Sequence, residues 1–214
     1  MSNGIVPIVE GQSEVESVPL LLRRLLAEQL DAPSVEILRP FRVKRTKVVR
    51  ADELERAVTL ATRDRQSAGA VLVILDADDD CPAKLGPDLL SRAKKSTELP
   101  VAVILANREF EAWFLGAKES LRGVRGIRED AQVPPKPESI RGAKERLSGN
   151  MAGSRYLEVD DQPALVAMMD LGSARQRCPS FDKLVRELSA LAALVSHRAS
   201  SGDAENGSSP ATPS

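Results

Sequence analysis

Acidic side chains recur where apolar runs stop. Ile5 to Val9 ends in Glu10 and Gly11, Ala70 to Leu75 ends in Asp76, Asp78, Asp79 and Asp80, and Val101 to Leu105 is followed by Glu109 and Glu111. An uninterrupted aliphatic run is the mark of a strand buried on both faces of a parallel sheet. In open α/β sheets ligands bind at the carboxyl ends of such strands. So much negative charge in one crevice is unfavourable unless a cation occupies it or some carboxyls stay protonated, and a divalent cation is the simpler solution. Asp76 and Asp78 are two apart, so on an extended chain they project to the same side and can share one hard ion or bridge two. Carboxylate and water oxygens suit Mg²⁺ or Mn²⁺, and with no His or Cys nearby zinc is disfavoured. The candidate metal ligands are therefore Glu10, Asp76 and Asp78, with Asp79 and Asp80 as turn residues. The competing reading is a solvated acidic turn that caps a helix. Glu14 and Glu111 are further candidates, although an acid at Glu14 also suits the start of a helix on electrostatic grounds alone.

These residues need elements to hold them. Apolar spacing predicts a helix from Ser13 to Leu30, with Ser13 as N-cap, and Gly11 before it would let the chain turn sharply and approach a phosphate. A second strand is expected over Val35 to Val43, running into a basic loop, then a helix from Asp52 to Arg65 capped by Asp52, and another from Asp88 to Lys95. Four strands alternating with helices give a doubly wound, mostly parallel α/β sheet with right-handed crossovers. Beyond Gly116 the pattern turns helical, around Ser139 to Leu147, Gln162 to Met169 and Phe181 to Val195. The expected organisation is an α/β core over residues 1–116, a mainly helical extension packed on it over 117–198, and a disordered tail over 199–214.

Composition removes other chemistries. Among 214 residues there are two cysteines and one histidine, so a structural zinc site and a Ser-His-Asp site are both disfavoured. Carboxylates, basic residues and metal are left to do any catalysis. No apolar run approaches the roughly 20 residues that cross a bilayer, and the N-terminus does not read as a secretory signal, so a cytoplasmic location and no membrane contact are expected. Net charge is −1, but the charge is segregated. Arg42, Lys44, Arg45 and Lys47, inside an acid-free stretch from Arg39 to Arg50, form a candidate nucleic-acid phosphate track, and Arg122, Arg125 and Arg128 form a second basic group. With 3% aromatic residues, serial stacking on single-strand bases is a poor fit.

VEGQSE at residues 9–14, followed by a buried strand and DAD at residues 76–78, resembles the Toprim domain of topoisomerases, primases and overcoming-lysogenisation-defect nucleases. NREFEAWFLG and CPSFDKLVREL look like one Toprim-related bacterial family of uncharacterised function, often paired with an ATPase in anti-phage or mobile-element settings. The resemblance implies Mg²⁺-assisted phosphoryl transfer, with Glu10 as general acid or base, Asp76 and Asp78 holding metal, Glu14 as the second glutamate of the nuclease version, and Glu111 matching the acid before the Ala-Trp pair. The expected activity is a metal-dependent nuclease on DNA or RNA, with nucleic acid and an ATPase as partners and self-association left open. A non-catalytic adaptor binding nucleic acid or a partner ATPase is the alternative. A phosphatase using Asp76 as nucleophile fits less well, because Asp79 and Asp80 stand where a small hydroxyl or β-branched residue would be expected.

Overall fold

Three buried aliphatic runs make most of a sheet: β1 (Gly4–Val9), β3 (Ala68–Asp76) and β4 (Val101–Ala106). The computed structural model describes residues 4–48, 50, 52–63 and 67–205. With β2 (Phe41–Arg42) the sheet has four strands in the order β2-β1-β3-β4, every neighbouring pair parallel. From β1 the chain passes to β2 on one side and then to β3 on the other, so the reversal of direction falls between the carboxyl ends of β1 and β3. That is where a doubly wound sheet places its ligand crevice.

The second strand is shorter than expected from Val35 to Val43. Only β2 (Phe41–Arg42) pairs continuously, with Phe41 beside Ile8 and Arg42 beside Val9, while Ile37 makes an isolated bridge to Ile5. Pro40 lies between the two pairings and has no N–H to give to a ladder.

Strand side chains alternate between two apolar layers. Ile5, Val9, Leu72, Ile74, Ala102 and Ile104 join one cluster, under α1 (Glu14–Glu28), α5 (Glu111–Gly116), α7 (Glu158–Met168), α8 (Leu171–Arg177) and α9 (Pro179–Glu205). Val6, Ile8, Val71, Val73, Leu75, Val103 and Leu105 join the other, under α3 (Glu53–Arg63) and α4 (Pro82–Lys94). The remaining helices, α2 (Arg45–Val48) and α6 (Ala143–Ser148), are each about a turn long. The helical second part of the chain thus shares one layer of the sheet with α1 and α5, and within it α9 packs on β1, β3, β4 and α1.

Several helix boundaries differ from expectation: α6 begins at Ala143 rather than Ser139 and α7 at Glu158 rather than Gln162. Ser13 has helical backbone angles and makes no side-chain cap. The fourth helix begins at Pro82 rather than after Pro87, because proline at the first turn gives up no hydrogen bond. The last helix continues to Glu205, past Ala199 where the tail was expected to begin, and residues 206–214 lie outside the described residues.

A buried polar latch fixes α9 to the turn after β4. The Ser180 hydroxyl accepts from Trp113 Nε1 at 2.8 Å and from the Asn107 N–H at 3.3 Å, and donates to Glu138, whose carboxylate also accepts the Ser180 N–H at 3.0 Å. Ser180→Ala is expected to destabilise the protein by roughly 1–3 kcal/mol, the cost of leaving buried polar groups short of partners. Urea denaturation checks this, and an unchanged midpoint would remove the latch from the account.

Candidate functional site

Glu10 follows β1 and Asp76 ends β3, so the two acids sit at the carboxyl ends of adjacent strands. Asp76 continues the inward set of Leu72 and Ile74, which carries it into the layer beneath α1 and α5. It is 8% exposed, and Oδ1 accepts the Phe110 N–H at 2.8 Å, pinning the turn that starts α5. Burial pushes its carboxyl well above the usual range, the carboxylates of Glu111, Glu14 and Glu10 push it further, and Lys144 opposes them.

Glu111 is fully buried at the first position of α5. Its Oε1 accepts from the Tyr156 hydroxyl at 2.9 Å and from Gln162 Nε2 at 3.2 Å, and Gln162 Oε1 in turn accepts from the Ser17 hydroxyl at 2.6 Å. The other oxygen, Oε2, is buried and has no hydrogen-bond partner among the described residues. Burial raises the carboxyl to about 7, with Lys144 and the Tyr156 hydrogen bond working against that rise. Lys144 reaches the cluster from α6 and pairs with Glu158 at 3.0 Å. Burial alone would lower its pKa, but Glu111, Glu158 and Asp76 outweigh burial and hold the ammonium protonated.

Other expected acids are used differently. Glu14 is buried, and its Oε2 accepts the Glu10 N–H at 2.9 Å and the Gly11 N–H at 3.0 Å, so it ties down the turn that presents Glu10. Glu109 accepts the N–H groups of Gly142 and Lys144 and so fastens α6 to the β4 turn. The chain bends at Gly11 as expected, but the residue has no left-handed backbone and a Cβ there would meet its neighbours at ordinary contact distances, so the bend does not depend on glycine. Asp78 departs from the geometry that paired it with Asp76. Extended structure stops at Asp76, and Asp78 is exposed at φ 52°. Its N–H donates to the Arg108 carbonyl at 2.9 Å, and Arg108 also has a left-handed backbone, φ 67°. Beside them Asp79 receives Arg108 at 3.2 Å and Arg141 at 3.0 Å.

The basic residues divide sharply. Arg42, Lys44 and Lys47 line an open cleft of about 380 Å³ at the end of β2, together with Arg56, Glu53 and the apolar Phe41, Val43, Ala57 and Leu60. The Arg45 side chain lies outside the described residues. The second group is spent internally: Arg122 donates to the Ala131 carbonyl, Arg125 pairs with Asp161 at 2.7 Å, and Arg128 pairs with Asp130 at 3.2 Å.

A hard divalent cation fits the chemistry of the acidic centre, whose donors are all oxygens and whose buried carboxylates repel one another. Among the described residues, no three His, Cys, Asp or Glu side chains are grouped closely enough to hold one ion. A cation there would take one or two of the carboxylates and complete its shell with water and substrate oxygens, as Mg²⁺ commonly does.

Sequence reasoning missed Lys144, Tyr156 and Gln162. Each comes from the helical half, outside the motifs, and is brought to the centre by α6 and α7 or by the segment between them. The one available signal was negative: Tyr156 is the chain's single tyrosine.

Fold and site together define a parallel α/β protein with a buried acidic centre at the switch point of its sheet. The chain belongs to the family described as "Domain of unknown function (DUF4276)", whose model matches residues 9–189. It is similar to a solved structure, the C-terminal region of the Xanthomonas campestris pv. campestris OLD protein, at 17% identity and a TM-score of 0.46, over 91% of this chain and 98% of that one. No curated protein matches it. Among the described residues no helix is long and apolar enough to cross a membrane.

Proposed function

We propose that this protein is a metal-dependent phosphoryl-transfer enzyme that hydrolyses phosphodiesters of DNA or RNA. The observation that carries the reading is the buried carboxylate centre, in which Glu111 Oε2 lacks a hydrogen-bond partner among the described residues and Asp76 is crowded by like charges. Asp76 and Glu10 would hold Mg²⁺ or Mn²⁺, with Glu111 alongside and Asp78 at the solvent edge. When bound, the ion supplies charge stabilisation to a phosphate and lowers the pKa of water. Glu14 positions Glu10 through the turn amides, and the Phe110 N–H positions Asp76. The resemblance of VEGQSE supports Glu10 as the group that would take or give a proton at the substrate, with Asp76 then the principal ligand of the ion. Hydrolysis is favoured over strand transfer because the Tyr156 hydroxyl is buried and donated to Glu111.

The test is cleavage of plasmid DNA and of structured RNA with Mg²⁺, Mn²⁺ or a chelator. Turnover that persists in chelator, or in a Glu10→Gln, Asp76→Asn double variant, rejects the reading. The scattered geometry of the acids favours a second reading, an adaptor for nucleic acid or a partner ATPase in an anti-phage system. It requires unchanged partner binding by Glu10→Gln and no turnover with any metal.

If a nucleic-acid backbone crosses the cleft beside β2, each cation that meets a phosphate contributes to the salt dependence. Replacing Lys44 and Lys47 by alanine is expected to flatten the slope of log K against log salt by roughly 2, about one unit per lysine. Fluorescence anisotropy at several salt concentrations reads this, and an unaltered slope takes both lysines out of the track.

A further inference from the structure

The cleft at the end of β2 has an apolar wall that a simple phosphate track would not need. Phe41, Val43, Ala57 and Leu60 form that wall, and Arg42, Lys44, Lys47 and Arg56 stand around it with Glu53 as the one acid of the lining. At about 380 Å³ the cleft is in the range of small-molecule sites, too small for a duplex and large enough for one nucleotide. Arg24, Arg92, Arg125 and Arg177 are all held by carboxylates, whereas Lys44, Lys47 and Arg56 have no such ion pair among the described residues. Their charge is available to a ligand.

One lining residue also reaches the end of β1. Arg42 is the register partner of Val9, the residue before Glu10, and its guanidinium donates to Gln12 Oε1 at 3.1 Å, in the turn after Glu10. Neighbouring strands lie roughly 5 Å apart. The apolar wall belongs to the face of the sheet under α3, and Arg42, which turns to the other face, is the side chain that links the cleft to the turn after Glu10.

We infer that this cleft binds a single unpaired nucleotide, its base against Phe41, Val43 and Leu60 and its phosphate on Arg42, Lys44 and Lys47. The inference rests on the phosphodiesterase reading and narrows it: the preferred substrate presents an unpaired nucleotide, such as an overhang, next to the bond that is cut. Phe41 alone contacts the base as an aromatic, so one nucleotide is selected rather than a stacked run, in keeping with the scarcity of aromatic residues.

The experiment compares binding, with Ca²⁺ in place of Mg²⁺, of a blunt DNA duplex, the same duplex with a short overhang, and the overhang with its bases removed. Adenosine monophosphate serves as the free-nucleotide probe. Loss of one base contact is worth roughly 1–3 kcal/mol, so the overhang should bind about fivefold to a hundredfold tighter than the blunt or abasic duplex. Leu60→Gln should reduce that preference without altering the salt slope, whereas Lys44→Ala should alter the slope and keep the preference for the intact over the abasic overhang. Circular dichroism establishes that each variant is folded. Equal binding of abasic and intact overhangs overturns the inference with no variant needed. Binding of the free nucleotide that depends on Leu60, with no binding of any strand, keeps the pocket and rejects the nucleic-acid reading. If neither strands nor the free nucleotide bind, the pocket assignment falls.

Discussion

Asp76→Asn is expected to lower metal-dependent phosphodiester cleavage by roughly 10²–10³-fold, the usual cost of deleting one charge-stabilising group in a preorganised site. The substitution is nearly isosteric, and an amide oxygen can still accept the Phe110 N–H that Oδ1 accepts now. The turn into α5 is therefore retained, and what is removed is the negative charge at the end of β3. Asp78→Asn provides the contrast. Asp78 is exposed and leaves the strand in a left-handed conformation, so its expected loss is less than about tenfold. Rates for both variants, together with Mg²⁺ titrations, separate the roles. A large loss at Asp78 with little at Asp76 would move the principal ligand out of the buried centre and into the turn.

β1, β3 and β4 were legible because burial on both faces leaves them almost wholly apolar, and the acids stood out because they end those runs; the extent of β2, a two-residue strand that is not fully buried, was not. Asp76 and Glu10 were placed correctly at adjacent strand ends on that basis alone. The pairing of Asp76 with Asp78 was not, because it assumed an extended backbone that a left-handed residue breaks. Glu14 and Glu109 show a different limit. A carboxylate at a helix start has the same sequence signature whether it meets a ligand or its own backbone, and here both accept main-chain N–H groups. Lys144, Tyr156 and Gln162 carried no local signal, since their role arises when α6, α7 and the segment joining them close over α5. The short α5 and α8 were likewise missed, being too brief to show a helical period.

Glu111→Gln is expected to stabilise the metal-free protein at neutral pH while impairing metal-dependent activity. The Glu111 carboxyl is raised from 4.5 to about 7, chiefly by burial. Between those values the folded state keeps a proton that the unfolded state has released. Stability is thus greatest below about pH 4.5, falls as pH rises through about 7, and is then level. At 1.36 kcal/mol per pH unit, the fall attributable to Glu111 is at most about 3 kcal/mol. Asp76 is displaced in the same direction, partly by Glu111 itself, so neutralising Glu111 relieves both. Glutamine keeps an oxygen for Tyr156 and Gln162 and brings an amide to the position of the unpartnered Oε2. Urea denaturation in chelator from pH 4.5 to 7.5 should show a falling free energy for the wild type and a flatter line for the variant. Adding Mg²⁺ should restore the wild type at the upper end by mass action and leave the variant less affected. The two responses are linked: a centre that loses stability as its carboxyls ionise regains it from the cation those carboxylates bind. Parallel pH curves for the two proteins would show that the charge on Glu111 is compensated within the fold, by Lys144 above all, and that the centre has no electrostatic need of a metal.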